Sequence, residues 1–250
     1  MRVAAYQAPL LPAGSMDALG LIRRRVAWCE EHGVEILCCP EAILGGLADY
    51  SPDPARFAIR AKAGQLDFVL APLASDTVAT IVGFTELAEE DTLYNSAAIF
   101  QRGSVAGVYR KLHPAIHRSV YEPGCTAPVF HVGELTIGII ICNDSNYFEP
   151  ARLMAAHGAT ALFVPTNNSL PPARACAELV AQARSADMAR AVENNMWVIR
   201  ADVAGRTDEL VSHGSSGIVA PDGGVVQAAR EMIEDVIVAE VDLTRRARQA

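Results

Sequence analysis

The segment from Gly138 to Arg152, GIIICNDSNYFEPAR, limits the possible folds more than any other part of the chain. Its apolar run Ile139–Ile141 stops abruptly at Cys142, small polar residues follow, and a helix-like pattern begins at Phe148. This order predicts a buried strand, a sharp turn and a helix. Strands and helices that alternate in this way favour an α/β protein with its sheets between helical layers.

The predicted turn places Cys142 at the carboxyl end of a strand. There it lies beside free backbone N–H groups and the positive end of a helix dipole. Such groups favour the thiolate over the thiol and can also hold a developing oxyanion. We therefore predict that Cys142 is a nucleophile, whereas an inert core thiol is the better interpretation of Cys29, Cys38 and Cys39.

Two segments that lie half the chain apart are alike in outline. His32–Glu41 and His157–Thr166 each read as a helix end, a glycine stop, a buried strand, a proline and a polar residue. If this match is genuine and not a chance similarity over ten positions, the chain folds as two similar α/β halves packed as a sandwich. Glu41 and Thr166–Asn168 then lie at equivalent strand ends, where ligands of open α/β sheets gather.

Length and composition fit a single domain over residues 1–250, since 51% of the residues are apolar and roughly three quarters of the unfolded surface is buried at this size. The formal charge of −8 argues against nucleic acid or an anionic membrane as a partner. No apolar run approaches the roughly 20 residues that cross a bilayer. The six cysteines form no CxxC pair, so we expect no disulfide framework, no zinc site and a cytoplasmic location.

Further elements follow from helical spacing and turn residues. Ser15 is a candidate cap for the first helix, and more helices are predicted over about 54–74 and about 172–194. A strand over 105–110 follows a hairpin turn and ends immediately before Lys111.

Glu41, Lys111 and Cys142 share one description, because each lies just beyond a predicted strand. A carboxylate can take the proton of a thiol and later activate water. An ammonium group can lower the pKa of a thiol and hold negative charge on a tetrahedral intermediate. The three residue types are therefore those that a thiol hydrolase needs.

Four short motifs carry a resemblance to a known family. They are Pro40–Glu41, the YRKLH of Tyr109–His113, Glu122–Gly124, and ICND followed by FEPARLMAAHGATALFVPTNN. In their order and separation these motifs are similar to those of the nitrilase superfamily of carbon–nitrogen hydrolases. The resemblance extends from the first strand to about Asp222.

The resemblance implies a four-layer αββα sandwich of two mixed sheets and a homodimer or larger homo-oligomer. It implies that Glu41 is the general base and acid, Lys111 the oxyanion partner and Cys142 the nucleophile. It also implies that the backbone N–H of Asn143 shares the oxyanion with Lys111. No metal or organic cofactor is expected.

The chain departs from the family pattern at two places. Cys-Asn-Asp resembles the branch that cleaves N-carbamoyl-D-amino acids, but Ser145–Tyr147 stands where that branch has two basic residues and a Trp. The basic side chain expected to bind a carboxylate is therefore missing there. Many members also carry a further glutamate after the lysine, and here His117 or Arg118 occupies that place.

Five residues are predicted to contact substrate, and they are Asn143, His117, Tyr147, Asn167 and Asn168. Asn167 and Asn168 can instead build a turn at the strand end. Tyr147 is close enough to Cys142 in sequence to line a pocket, although packing is its alternative role.

The leading hypothesis is a hydrolase that acts on a small-molecule aliphatic amide, ω-amide or N-carbamoyl compound. Its alternatives are a nitrilase and a non-catalytic relative that binds a metabolite. A metal-dependent phosphodiesterase of sandwich fold is a further class, and its Mg²⁺ ligands would come from Asp144, Asn167, Glu41 and His213.

Overall fold

A computed structural model of the protein describes residues 1–15, 17–62, 64–115 and 118–244. Of the residues that the sequence analysis singled out, His117 lies outside the described residues. The prediction that it contacts substrate therefore stays a prediction.

Strands and helices alternate along the described chain. In chain order they are β1 (Arg2–Pro9), α1 (Asp17–Glu31), β2 (Ile36–Cys38), β3 (Ile59–Arg60), α2 (Gln65–Leu70), β4 (Ala79–Leu87), β5 (Leu93–Gln101), β6 (Ser104–Arg110), β7 (Val129–Val132), β8 (Leu135–Ile139), α3 (Phe148–Ala156), β9 (Ala161–Pro165), α4 (Glu178–Asn194), β10 (Trp197–Ala201), β11 (Val203–Arg206), β12 (Val211–Ser212), β13 (Gly217–Val219), β14 (Val225–Ala228) and β15 (Asp235–Glu240).

The strands form two mixed sheets. The first has the order β12-β11-β1-β2-β4-β5-β6, with β15 also paired to β1 and β3 to β4. Its central strands β1, β2 and β4 are parallel, whereas β5 and β6 add antiparallel neighbours. The second sheet has the order β14-β13-β10-β9-β8-β7, with parallel β8, β9 and β10 at its centre. The predicted pair of mixed sheets is confirmed.

The side chains of β1 point alternately to its two faces and show how the layers pack. Val3 and Ala5 belong to the core between the two sheets, whereas Ala4 and Tyr6 face the apolar side of α1 and α2. Successive strand residues point to opposite faces, so one strand serves both layers. Helices α3 and α4 pack on β8 and β10 of the second sheet. The order helices, sheet, sheet, helices is the predicted αββα sandwich, and it is confirmed.

The two matching segments of the sequence become the central strands β2 and β9. Each is parallel to its neighbours, and the two strands belong to different sheets. Beyond them, the backbone N–H of Glu41 donates to the carbonyl of Thr166 at 3.2 Å. The two strand ends therefore meet, as the sequence comparison predicted.

Two predicted helices are shorter in the structure. Between residues 54 and 74 only Gln65–Leu70 is α-helical, followed by a 3₁₀ turn over Ala71–Leu73. The preceding stretch lacks a continuous apolar stripe, and Gly64 has a left-handed φ of 82° that interrupts a helix. Helix α4 begins at Glu178 and not near 172, because the chain first closes a separate turn on the carbonyl of Pro171.

No helix in the described ranges is both long and apolar enough to span a bilayer.

Candidate active site

The structure brings Glu41, Lys111 and Cys142 to the wall of one cavity of about 350 Å³. Glu41 follows β2, Lys111 follows β6 and Cys142 follows β8, so three strands from both sheets supply the three side chains. The same cavity is lined by Asn143 and Asn168. The three residues that the family resemblance singled out thus line one cavity.

The carboxylate of Glu41 is buried and held by three donors. Its Oε1 accepts from Lys111 Nζ at 2.5 Å and from Asn95 Nδ2 at 2.7 Å, and its Oε2 accepts from the backbone N–H of Asn167 at 2.8 Å. Hydrogen bonds to a charged group are strong and directional. The orientation of the carboxylate is therefore fixed before any substrate arrives.

Close backbone contact explains how Glu41 reaches this position. Gly83 in β4 lies against the segment Pro40–Ala42, and a Cβ on this glycine would approach the carbonyl oxygen of Pro40 to 2.3 Å. Ala42 has a φ of 46° and Cys142 a φ of 45°. Left-handed non-glycine residues are uncommon and gather at functional sites. The strand ends of Glu41 and Cys142, two of the three candidate catalytic strand ends, thus each carry a strained residue.

Lys111 is a buried ammonium group with a buried counter-ion. Burial acts to lower its pKa, but the charge of Glu41, aided by Cys142 and Asp144, raises the pKa above its ordinary value. Lys111 therefore stays protonated. Its charge can act on negative charge that develops in the cavity.

Cys142 opens a 3₁₀ turn over Cys142–Asn146. Burial raises the pKa of its thiol to about 12, and Glu41 adds to this effect, while Lys111 and Arg200 act in the opposite direction. The prediction of a thiolate at rest is therefore wrong. The reason is that burial and the charge of Glu41 outweigh the charges of Lys111 and Arg200, so a base is required before this sulfur can act as a nucleophile.

We predict that the Cys142 thiol keeps its proton through neutral pH. A thiol with a pKa of about 12 is protonated below that pH, so the thiolate absorbance of wild type minus Cys142→Ala should stay flat between about pH 6 and pH 9. The other five cysteines are present in both proteins and cancel. A thiolate step in the difference curve below about pH 8 would contradict the prediction.

Asn168 orients the thiol. Its Nδ2 donates to Asp202 Oδ2 at 3.2 Å and to Ser215 Oγ at 3.1 Å, which fixes the amide plane. Its Oδ1 then accepts from Cys142 Sγ at 3.5 Å. Asn168 thus touches the sulfur directly, in keeping with its predicted place at the site.

The other predicted contact residues differ in their placement. Asn167 also lines the cavity; its backbone N–H donates to Glu41, and its side chain accepts from the N–H of Ser169 at 3.2 Å, as in the turn that was its alternative role. Asn143 lines the cavity, but its Nδ2 donates to the carbonyl of His113 at 3.1 Å. Tyr147 is 42% exposed and stacks on His113 with the ring centroids 3.9 Å apart. It is not among the residues that line the cavity.

Asp144 clamps the turn that carries Cys142. Its Oδ2 accepts from the backbone N–H of Ile141 at 2.9 Å and from Tyr109 Oη at 2.7 Å. Its Oδ1 accepts from the backbone N–H of His113 at 2.8 Å. The carboxylate is fully buried. Its bonds join the turn that carries Cys142 to the segment that follows Lys111.

We expect Asp144→Ala to lower the free energy of unfolding by about 3 kcal/mol, because three buried donors lose their acceptor. Urea denaturation of the variant and of wild type measures this difference. Tyr109→Phe is the matched control, since it removes one of the three bonds and should cost about 1 kcal/mol. An unfolding free energy equal to that of wild type in Asp144→Ala would contradict the role of clamp.

Sequence reasoning missed three residues that shape the site. Arg200 is fully buried, pairs with Asp187 at 2.6 Å and donates to Ser145 Oγ at 2.8 Å in the turn that carries Cys142. A charged residue within the apolar run of β10 is the signal that could have found it. Asn95 likewise interrupts an apolar strand, whereas Arg174, which also lines the cavity, gives no such signal.

The ligand set of the phosphodiesterase alternative is not assembled. Over the part of the chain that the structure describes, no group of three or more His, Cys, Asp or Glu residues is arranged to hold a metal ion. His213 approaches Glu231 at 3.8 Å and does not line the cavity of Glu41. Asp144 is occupied by its three donors.

Comparison with known proteins identifies the family of this chain from its sequence. The family model described as carbon-nitrogen hydrolase matches residues 2–249. A nitrilase from Pyrococcus abyssi (strain GE5 / Orsay) is 34% identical over 182 residues, which are 72% of this chain and 66% of that protein. An (R)-stereoselective amidase from Pseudomonas sp is 29% identical over 219 residues, which are 86% of this chain and 76% of that protein. The chain thus spans slightly less than two thirds of the Pyrococcus protein.

Solved structures share the fold. A glutamine-dependent NAD⁺ synthetase from Acinetobacter baumannii superposes with a TM-score of 0.82 at 17% identity, over 100% of this chain and 47% of that chain. A mutant of the amidase from Nesterenkonia sp. AN1 superposes with a TM-score of 0.82 at 22% identity, over 98% of this chain and 91% of that chain. That structure shows covalent addition of the acetamide moiety of fluoroacetamide at the active-site cysteine.

The superpositions establish a common fold, and the family model covers nearly the whole sequence. This chain therefore belongs to the carbon-nitrogen hydrolase family.

Proposed function

We propose that the protein hydrolyses the non-peptide C–N bond of a small amide through a thioester on Cys142. The observation that carries the proposal is the buried Glu41–Lys111 ion pair of 2.5 Å on the wall of the cavity that also contains Cys142. A base, a cation and a thiol at one cavity are the groups that acyl transfer requires.

The first half of the reaction forms the thioester. Because the thiol is protonated at rest, Glu41 takes its proton while the sulfur attacks the substrate carbonyl carbon. The C=O electron pair moves onto oxygen, where Lys111 and the backbone N–H of Asn143 stabilise the negative charge. Glu41 then gives the proton to the amide nitrogen, the C–N bond breaks, and ammonia or an amine leaves.

The second half returns the enzyme to its starting state. Glu41 takes a proton from water as the water oxygen attacks the thioester carbon. The tetrahedral intermediate again places its oxyanion by Lys111, and its collapse breaks the C–S bond. The sulfur recovers the proton from Glu41, and a carboxylic acid is released. One carboxylate thus serves both halves as acid and base.

The relatives support this proposal. The Nesterenkonia structure has an acetamide moiety on its active-site cysteine, and the Pseudomonas relative is an amidase. The Pyrococcus relative is called a nitrilase, and a nitrile carbon could be attacked by the same thiol. A homo-oligomeric state and a cytoplasmic location belong to the same proposal, supported by the family resemblance and by cysteines without a disulfide framework.

A panel of small amides, N-carbamoyl compounds and nitriles tests the proposed reaction by ammonia release. The expected result is turnover of at least one amide or carbamoyl compound, unchanged by chelator and lost in Cys142→Ala. Turnover that chelator abolishes and Cys142→Ala retains would contradict the thiol mechanism.

A further inference from the structure

A third cation besides Lys111 and Arg200, namely Arg174, lines the cavity that contains Glu41 and Cys142. It comes from the alanine-rich segment after β9 and not from the turn after Cys142, where the sequence analysis looked for a basic residue. The cavity therefore combines a reactive end with a positive group supplied by a separate part of the chain.

Arg174 differs from the two other cations of this cavity in having no anionic partner among the described residues. Lys111 is paired with Glu41, and Arg200 is paired with Asp187. Both of these pairs are buried, so their charges are balanced within the protein. The guanidinium of Arg174 has no ion pair or side-chain hydrogen bond in the described ranges, and its planar donors remain available.

The backbone holds Arg174 beside the cavity. Leu170 and Val211 exchange two backbone hydrogen bonds, at 2.8 and 3.0 Å, which anchor the start of the segment. The carbonyl of Pro171 then accepts from the N–H of Arg174 at 2.8 Å and from that of Ala175 at 3.1 Å, which closes one turn. These bonds fix the main chain at Arg174, whose exposed side chain lies at the cavity wall.

Tyr50 lines the same cavity wall as Arg174, Glu41 and Cys142. Burial raises the pKa of its hydroxyl, which Arg174 acts to lower and which Asp49, Glu41 and Cys142 act to raise. Arg174 and the Glu41–Lys111–Cys142 group therefore share one cavity of about 350 Å³.

The remaining charged group on the wall is Asp49, and it is engaged by a neighbouring loop. Its two oxygens accept from Ser119 Oγ at 2.9 and 3.1 Å, and Oδ1 also accepts from the N–H of Val120 at 2.8 Å. The carboxylate of Asp49 thus holds the loop at Ser119 and Val120, whereas the guanidinium of Arg174 has no such partner among the described residues.

We propose that Arg174 binds a carboxylate of the substrate and that the enzyme prefers mono-amides of short dicarboxylic acids to neutral or cationic amides. The inference rests on the proposed amide hydrolysis. An arginine can bind a carboxylate through two parallel N–H···O bonds, and this fixes the far end of the substrate. A cavity of about 350 Å³ fits a molecule of this size.

Matched substrates test the preference. Glutaramate carries the carboxylate, valeramide is the neutral compound of equal chain length, and 5-aminovaleramide is the cationic one. We expect kcat/KM of wild type to be at least about 10-fold higher for glutaramate than for either of the others. A wild-type enzyme that hydrolyses valeramide or 5-aminovaleramide as well as glutaramate would overturn the inference and leave the proposed hydrolysis intact.

Variants assign the preference to Arg174. Arg174→Gln should lower kcat/KM for glutaramate by about 10- to 100-fold and change that for valeramide by less than about 3-fold. Arg174→Lys should recover part of the loss, because the charge remains while the two-pronged geometry is lost. Arg23→Gln on the exposed face of α1 removes the same charge far from the cavity and should behave as wild type. Equal losses for both substrates in Arg174→Gln would overturn the inference.

A binding measurement keeps the test independent of turnover. Calorimetry with glutarate, the expected product, should give a Kd for Arg174→Gln at least about 10-fold weaker than for wild type. Equal affinities, or no binding of glutarate to wild type, would overturn the carboxylate site whether or not any amide is hydrolysed. Absence of ammonia release from every amide, with glutarate bound through Arg174, would instead overturn the proposed hydrolysis.

Discussion

Glu41→Gln is expected to lower kcat for amide hydrolysis by about 10⁴-fold, because one carboxylate moves the proton in both halves of the reaction. The thiol has a pKa of about 12 and cannot supply its own thiolate at neutral pH. A glutamine keeps the shape and can still accept from Lys111, but it takes no proton. Steady-state ammonia release measures the loss.

The sandwich contains a matched control for this substitution. Glu86 is buried like Glu41, pairs with Arg110 at 2.5 Å and accepts from Ser96 Oγ at 2.6 Å. Asn95 and Ser96 are successive residues of β5, so the two carboxylate sites lie on opposite faces of one sheet. Glu86→Gln should change kcat by less than about 3-fold. Comparable losses of activity in the two variants would show that Glu41 acts only through stability.

The free energy of unfolding further separates a chemical role of Glu41 from a purely structural one. Glu41→Gln removes the counter-ion of a buried ammonium group, and we expect a cost of about 1–3 kcal/mol in the free energy of unfolding. This cost leaves a folded protein at room temperature. A lost activity in a folded variant then reports chemistry.

Cys142→Ala is expected to lower kcat by at least about 10⁵-fold, since no other group forms the thioester. Cys125→Ala and Cys176→Ala are the controls, because these two thiols are the other accessible cysteines among the described residues. Both should retain wild-type kcat within about 2-fold. A kcat of Cys142→Ala within about 10-fold of wild type would exclude the thioester route.

The double variant of Glu41→Gln and Cys142→Ala tests whether the two residues act in the same steps. If Glu41 acts only by moving the proton of the Cys142 thiol and of the attacking water, adding Glu41→Gln to Cys142→Ala should cost nothing further. An additive loss would indicate that Glu41 has a role independent of the thiol.

The strand ends at Glu41 and Cys142 could be found in the sequence because each leaves a strong local signal, whereas Lys111 was singled out only by its place in the YRKLH motif. The apolar run before Cys142 and that before Pro40–Glu41 both stop at polar residues, and in the structure the N–H of Glu41 bonds to the carbonyl of Thr166. Such signals need no knowledge of packing beyond the rule that parallel strands present their carboxyl ends together.

The properties that depend on tertiary packing were missed. The thiol pKa is raised by burial of the group and by the charge of Glu41, and no local pattern encodes these surroundings. Arg174 falls within the stretch predicted as the start of a helix, but in the structure it lies in a separate turn before α4, which the Leu170–Val211 and Pro171 backbone bonds hold beside the cavity. The helix expected over 54–74 shortened because its apolar residues form no continuous stripe.

The most direct test of the account is an acid quench of wild type during turnover of an amide that it hydrolyses, followed by mass mapping of the peptides. The thioester mechanism predicts that the peptide containing Cys142 gains the mass of the acyl group, and that Cys142→Ala gains none and releases no ammonia. An acyl group on any other residue, or ammonia release by Cys142→Ala at the wild-type rate, would contradict it.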